Sequence, residues 1–518
     1  MFIIRCLSRC RIKKTCCLSF GTNESVTTRQ RQGQINNNTK HVHSAARILT
    51  LAAQRRTMSS GHPSTICLAD YDAYGFDLDH TLAKYKLVEV FNLTYTCITD
   101  FLVDKKGYDA SIKSDLFKYK EFICKGLFLD MEKGHILKIA DDGKILRATH
   151  GTRALETAEV QAAYGEDQIW KHAETVKKTV KNSNTTFRFF ENYFDTPGLV
   201  AMARIIDIEE KKIKDSKSTK RIDYTLIWGD VLDSLVHIYT YHNFALETGG
   251  FFPTLKKNPN KYVEKCSDDI KKWLRSLKQD GRCVFLLTSS FSDFGSCLLE
   301  TILGDDWESY FDINIFYARK PSFFTDRHAF QRIEKHSVKE PTTNLVKGGF
   351  YYRGNERELT KFIATLTGKE NPKIVYFGDN ICADCFPSKM YADWDTVLLL
   401  EEMDAEGYAC EDGTVQQEDE PSQKKRRRGI EHSSLVTHEE MEYLISDVWG
   451  PFLYHGPEGA SDKVMNTLWG SVISQYSDIT VPSLEYLAGV PLDHKFESFG
   501  AKSDATGGFH PGKPASLL

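Results

Sequence analysis

Read for apolar and polar positions alone, the chain contains a set of short apolar runs that each stop at polar residues. The first is Tyr71-Asp-Ala-Tyr-Gly-Phe, which ends at Asp77-Leu-Asp-His-Thr-Leu. Four more follow far downstream: Cys283-Val-Phe-Leu-Leu-Thr-Ser-Ser, Phe311-Asp-Ile-Asn-Ile-Phe-Tyr-Ala, Lys373-Ile-Val-Tyr-Phe-Gly-Asp-Asn and Asp395-Thr-Val-Leu-Leu-Leu. Runs of this length, separated by helical spacers, predict buried parallel strands in a doubly wound α/β sheet. In such sheets ligands bind at the carboxyl ends of the strands. The polar residues that close the runs are therefore expected along one edge.

Between the first run and the second lies a different pattern. Residues 84–280 show helical spacing at Ala154–Tyr164, Asp230–Tyr241 and Val263–Gln279, and alternation from Gly126 to Leu146 broken by Lys-Gly and Asp-Gly. The alternation predicts an antiparallel meander. About 200 residues is too long for a connection between neighbouring strands, so a domain inserted over the site is expected. The core then comprises 67–83 and 281–400. A charged segment, 401–440, holds Lys424-Lys-Arg-Arg-Arg and reads as a solvated disordered loop; apolar periodicity returns over 441–499, packed on the core, and 500–518 reads as a flexible tail.

Composition narrows the class. The 518 residues are 41% hydrophobic and 12% aromatic, enough for a sizeable core, and no run approaches the roughly 18 apolar residues of a membrane span. The net charge of −4 conceals an asymmetry: residues 1–57 carry 11 Lys and Arg against one acid, Glu24, which leaves −14 for the remainder. An acidic body argues against a nucleic-acid polymer as partner. The basic leader fits either a mitochondrial transit peptide or a disordered extension upstream of Met58. The 13 cysteines, without a secretory signal, fit reduced thiols and a cytoplasmic location, or a mitochondrial one if the leader targets. Cys382-x-x-Cys385 is a single pair and a weak metal signal.

The run ends carry the chemistry. Asp77 offers a nucleophile and metal ligand, and Asp79 a general acid and base. Thr288, Ser289 and Ser290 offer hydroxyls, Lys320 an ammonium, and Asp379 and Asp384 further carboxylates. Asp77 and Asp379 suit Mg²⁺, which prefers oxygen ligands. That charge, with Lys320 and Thr288, offsets the phosphoryl oxygens and lets a carboxylate approach phosphorus.

In order and spacing these segments resemble the haloacid dehalogenase superfamily, whose motifs run D-x-D-x-T, a strand-end Ser/Thr, a Lys and G-D-x(4)-D. Gly75-Phe-Asp-Leu-Asp-His-Thr-Leu-Ala, Lys125-Gly-Leu-Phe-Leu-Asp and Ala318-Arg-Lys-Pro-Ser-Phe-Phe narrow the resemblance to the cytosolic purine 5'-nucleotidase family. It implies a Rossmann-like core with a large cap inserted between the first and second motifs, and an aspartyl-phosphate intermediate on Asp77. Asp79 would protonate the leaving oxygen, then activate water, and its main-chain carbonyl would join Asp77 and Asp379 on Mg²⁺. Thr288, Ser289 and Lys320 would hold the phosphoryl group, with Asp384 and Ser290 supporting. The implied substrate is a nucleoside monophosphate, and the family's members form homo-oligomers. Where such members grip the base with Arg and Asp, this chain has Asp230, Asp233 and His237 without a matching Arg. A non-nucleotide phosphomonoester, or a binding role without turnover, stays open.

Overall fold

The computed structural model describes residues 63–181, 184–409, 443–455, 465–501 and 507–514. The leader 1–57 and positions 410–440 of the charged segment, with the basic run at 424–428, lie outside the described residues.

The central sheet has nine strands: β1 (Ala73–Phe76), β2 (Cys283–Leu287), β3 (Ile313–Phe316), β4 (Phe330–Glu334), β5 (Ser337–Thr342), β6 (Gly349–Arg353), β7 (Ile374–Gly378), β8 (Asp395–Leu399) and β9 (Ile479–Val481). Their spatial order is β5-β4-β6-β3-β2-β1-β7-β8-β9. From β6 to β9 every pairing is parallel, and β4 and β5 add an antiparallel hairpin at one edge. The inner parallel strands are largely apolar because both faces are covered, whereas the edge strand β5, Ser-Val-Lys-Glu-Pro-Thr, is polar and exposed. Tyr74, Phe76, Val284, Leu286, Val375 and Phe377 pack with Ile270, Trp273 and Leu274 on one side, while Phe285, Leu287, Ile313, Ile374 and Tyr376 pack with Leu359 and Ile363 on the other. This is the doubly wound α/β architecture expected. β4, β5, β6 and β9 were not anticipated.

The residues between β1 and β2 form their own five-stranded antiparallel sheet, in the order Arg153–Ala154, Ile145–His150, His135–Ile139, Phe128–Asp130, Phe187–Phe189. Its hairpins turn at Gly134 and Gly143, with φ of 69° and 89°, where a side chain would be strained. Helices α1 (Leu87–Lys106), α2 (Thr196–Ser216) and α3 (Tyr224–Ile238) pack beside it. The expected helices at 154–164 and 263–279 run over Thr157–Tyr164 and Asp268–Gln279. The latter begins at an N-cap, Ser267, followed by Asp268 and Asp269, which suit the helix dipole.

The charged segment starts inside the fold. Glu402–Ala405 is helical, Glu402 is 1% exposed, and its carboxylate meets Lys125 at 3.0 Å. Tyr408–Ala409 pairs antiparallel with Lys513–Pro514, so part of the expected flexible tail is also paired. Among the described residues no helix is long and apolar enough to cross a membrane.

Candidate active site

β1 delivers Asp77 to the carboxyl edge of the sheet, where its N–H donates to the Phe377 carbonyl of β7 at 2.9 Å. β3 leads into Lys320 and β7 into Asp379. Gly378 is the residue that lets this end close up: a Cβ there would fall 2.4 Å from Asp384 Oδ2. The chain after Asp379 then turns in a short π-helical stretch, Ile381–Cys385, which brings Asp384 back over the strand end.

Lys320 ties the acids together. Its ammonium, buried to 1% exposure, donates to Asp384 Oδ1 at 2.6 Å, to Asp77 Oδ1 at 2.8 Å and to Tyr376 Oη at 2.8 Å. All three of its protons are used. Burial disfavours that charge, but Asp384 and Asp77 outweigh burial and raise the Lys320 pKa. Asp77, Asp379 and Asp384 each place a carboxylate oxygen within 4.8 Å of the others. Burial pushes the Asp77 carboxyl up to about 7; Lys320 opposes the shift, and Asp384 and Asp79 add to it. Asp379 is raised further, by burial first and then by Asp384, with Lys125 opposing. Asp384 is also raised by burial, against Lys320. Three hard oxygen donors crowded in low dielectric fit a hard divalent cation, which would relieve the repulsion that holds these acids up.

Asp79 stands apart from that group. Its Oδ1 accepts from the Tyr85 hydroxyl at 2.7 Å and its Oδ2 from the Ser290 hydroxyl at 2.6 Å. The Asp79 carboxylate is thus held by hydroxyls, leaving only its main-chain carbonyl as the group expected on the metal, and Asp384 supplies the third carboxylate of the acidic cluster. Thr288 is fully buried and its Oγ1 accepts the Ser290 N–H at 3.1 Å. Ser289 Oγ accepts the Lys320 N–H at 3.1 Å, fastening the β2 loop to the β3 loop.

Several residues at the site escaped the sequence reading. Lys125, 5% exposed, pairs with Glu402 and lies 4.3 Å from the Tyr193 ring centre. Burial disfavours the Lys125 charge, yet Glu402, Asp379 and Glu401 together raise its pKa. Tyr193 donates to Glu402, and Glu401 lies 3.8 Å from His80 Nδ1. Phe194 of the inserted segment sets its ring 5.4 Å from Tyr85. Only the Lys125-Gly-Leu-Phe-Leu-Asp stretch had drawn notice, without a role for the lysine.

Asp230, Asp233 and His237, in the stretch that lacks the nucleotide-gripping Arg of the resembled family, contact side chains of α1 and of Tyr108 just beyond it. Lys106 Nζ lies 2.7 Å from both Asp230 and Asp233, Tyr108 donates to Asp230, and His237 packs 4.9 Å from Phe101. Cys382 and Cys385 are buried, Cys382 Sγ donates to the Val180 carbonyl at 2.9 Å, and burial pushes the Cys385 thiol well up. Among the described residues, the three aspartates are the one cluster with metal-ligand spacing.

Comparison with known proteins agrees with this geometry. The chain is similar to human 5'-nucleotidase domain-containing protein 1, at 38% identity over 460 residues, covering 87% of this chain and 97% of that protein. The bovine protein of the same name matches at 38% over 462 residues, with the same shares covered. Human 5'-nucleotidase domain-containing protein 2 is 27% identical over 351 residues, covering 66% of this chain and 62% of that protein. The profile of the 5' nucleotidase family spans residues 63–445, which includes the inserted segment and every acid described above, and the chain belongs to that family.

Proposed function

We propose that the chain is a Mg²⁺-dependent phosphomonoester hydrolase that releases phosphate from nucleoside 5'-monophosphates through an aspartyl-phosphate intermediate. The observation that carries this reading is the Lys320 ammonium shared by Asp77 and Asp384 inside the three-aspartate cluster. Packing alone does not call for three acids and a lysine at buried strand ends, and buried charge without a partner costs several kcal/mol.

Asp77, Asp379 and the Asp79 main-chain carbonyl would hold the cation, with Asp384 beside them; when bound it supplies positive charge against the phosphoryl oxygens and keeps Asp77 ionised. Lys320 and the Thr288 and Ser289 hydroxyls orient the phosphoryl group. The Asp77 oxygen that Lys320 leaves free forms the bond to phosphorus as the bond to the leaving oxygen breaks, and Asp79 gives that oxygen its proton. Asp79 then takes a proton from water, whose oxygen attacks phosphorus and returns Asp77 to a carboxylate. Tyr85 and Ser290 aim Asp79 in both half-reactions. The inserted segment serves as a specificity cap, a reading supported by Phe194 against Tyr85 and by Lys125 and Tyr193 on Glu402.

The test is phosphate release by the full chain with Mg²⁺ from a panel of nucleoside monophosphates, sugar phosphates and phosphopeptides, with Asp77→Asn alongside. Selective release from nucleoside monophosphates that vanishes in the variant is expected. Turnover that survives Asp77→Asn refutes the nucleophile, and no release from any substrate replaces hydrolysis with a binding role.

A further inference from the structure

His80 sits where three stretches of the chain meet, and neither its backbone nor its ring is at ease there. It follows Asp79 directly, lies in the left-handed region at φ 53°, and is buried to 5% exposure. Among the described residues neither ring nitrogen has a hydrogen-bond partner. Glycine would take that backbone without strain. Phenylalanine would fill the same space with nothing left unpaired, since the surroundings are the rings of Tyr85 at 4.7 Å, Phe194 at 4.9 Å and Tyr193 at 5.5 Å. Two unpaired buried nitrogens mark a side chain that packing alone does not call for.

The ring faces a carboxylate. His80 Nδ1 lies 3.8 Å from Oε1 of Glu401, which stands just past the carboxyl end of β8, and this is about 1 Å beyond a hydrogen bond. Burial disfavours the Glu401 charge, but His80, with Lys84 and Lys125, holds its carboxyl below the usual range, so it stays an acceptor. Its other oxygen is buried without a hydrogen bond among the described residues. Active-site hydrogen bonds are often long before substrate binds and tighten in the complex.

The place of His80 gives this contact leverage over Asp79. The His80 N–H donates to the Ala83 carbonyl at 3.0 Å. A trans peptide points its C=O opposite to its N–H, so that bond turns the Asp79 carbonyl away from Ala83. The ring also packs against Tyr85, whose hydroxyl donates to Asp79 Oδ1 at 2.7 Å. Both groups that the mechanism asks of Asp79, the carboxylate and the main-chain carbonyl, are thus linked to His80.

We propose that His80 and Glu401 are positioning residues: in the substrate complex the imidazole donates to the Glu401 carboxylate and clamps the turn, so that Asp79 passes its proton to the leaving oxygen as that oxygen's bond to phosphorus breaks. The proposal rests on the hydrolase reading above and adds to it two residues that touch neither phosphate nor cation.

The experiment compares kcat/KM of the full chain and of His80→Phe, at saturating Mg²⁺, on the best alkyl monoester of the panel above and on p-nitrophenyl phosphate. An alkoxide needs the Asp79 proton to leave, whereas nitrophenolate leaves without one. His80→Phe should lower kcat/KM for the alkyl ester by about tenfold or more and for the aryl ester by less than about threefold. A folding defect lowers both alike, so the ratio reads position alone. His80→Asn keeps an N–H donor on a residue that tolerates the left-handed backbone, and should recover part of the loss. Glu401→Met should match His80→Phe, and the double variant should lose no more than either single one. Equal losses on the two esters, no loss on the alkyl ester, or losses that multiply in the double variant overturn the clamp.

If the parent hydrolyses neither ester, the hydrolase reading fails, and the clamp is judged by the metal. Calorimetric titration of the parent with Mg²⁺ is then set against that of His80→Phe. Affinity lowered by about tenfold, as on losing a partner behind a metal ligand, sustains the hold on the Asp79 carbonyl, and unchanged affinity overturns it.

Discussion

Two of the buried-charge clusters among the described residues differ in balance rather than in burial. In the inserted segment Arg188 and Asp195 are both 0% exposed; the arginine Nε donates to Asp195 at 3.0 Å, between the rings of Phe190 and Trp228. One cation faces one anion, and the neighbouring Glu191 carboxyl is pushed by burial toward its neutral form. At the sheet edge Lys320 contacts Asp77 and Asp384 within the three-aspartate cluster, and Lys125, the other ammonium near Asp379, is already paired with Glu402, so an excess of negative charge remains. Burial raises the Asp195 carboxyl against Arg188, but it raises Asp379 far more, where another acid adds to the push. A balanced pair leaves no net charge for a ligand to offset. An unbalanced one is completed by what binds.

The comparison can be broken at several points. The largest expected effect is on turnover: Asp77→Asn should lower phosphate release by roughly a thousandfold or more, with the melting temperature kept or raised. A matching loss of stability would mean that the cluster is structural after all. The opposite is expected of the insert. Arg188→Ala should cost about 3–5 kcal/mol in denaturant unfolding, because Asp195 is left charged in the interior. Replacing both, as Arg188→Met with Asp195→Leu, should recover most of that, since a neutral pair has apolar substitutes of similar volume.

Next in size is Glu191, 1% exposed beside that pair, which accepts the Cys382 N–H at 3.2 Å and so joins the insert to the turn that carries Asp384. Burial pushes its carboxyl from 4.5 up to about 7; the Cys382 hydrogen bond and Arg188 oppose this and Asp195 adds to it. The folded state therefore binds the proton more tightly than the unfolded one. Stability is intact below pH 4.5 and falls as pH rises toward about 7, by on the order of 3 kcal/mol from this group. Glu191→Gln should flatten that slope and raise stability at pH 8, measured by urea unfolding across pH. An unchanged slope would place the titrating group elsewhere.

Metal supplies a further test of imbalance. Mg²⁺ at a hundred times its dissociation constant should stabilise the parent by about 2.7 kcal/mol. Asp379→Asn should lose that gain and melt higher than the parent in chelator, because one of the crowded charges is gone. The same metal should leave the Arg188–Asp195 pair untouched.

The sequence revealed one of these clusters and hid the other, for a physical reason. Asp77, Asp379 and Asp384 close apolar runs, so the strand pattern itself placed them on one edge, and the meander announced itself through Lys-Gly and Asp-Gly turns. Arg188 sits in a three-residue strand whose neighbours are aromatic, and only its tertiary partner marks it as buried. Lys125 and Glu402 fail the same way. Each looks like a solvated charge in its own segment, and Glu402 opens a stretch whose composition is that of a loop. β4 and β5 were missed because polar, exposed residues leave them no apolar run, and β6 and β9 because Phe350-Tyr-Tyr and Ile479-Thr-Val are too short to separate a strand from a loop.

The smallest expected effect decides whether imbalance alone is the criterion. Lys106 faces Asp230 and Asp233 at 2.7 Å each, again one cation against two acids, but these side chains keep 25%, 14% and 23% of their exposure. Water and salt screen a cluster of this kind, so its excess charge needs no ligand. Lys106→Met should change stability by less than about 1 kcal/mol, and the difference should shrink as ionic strength rises. Mg²⁺ should give that variant the same protection as the parent, and phosphate release should be unaffected. A loss of activity in Lys106→Met would instead give Asp230 and Asp233 a part in holding substrate, and would show that imbalance marks function even where water has not been excluded.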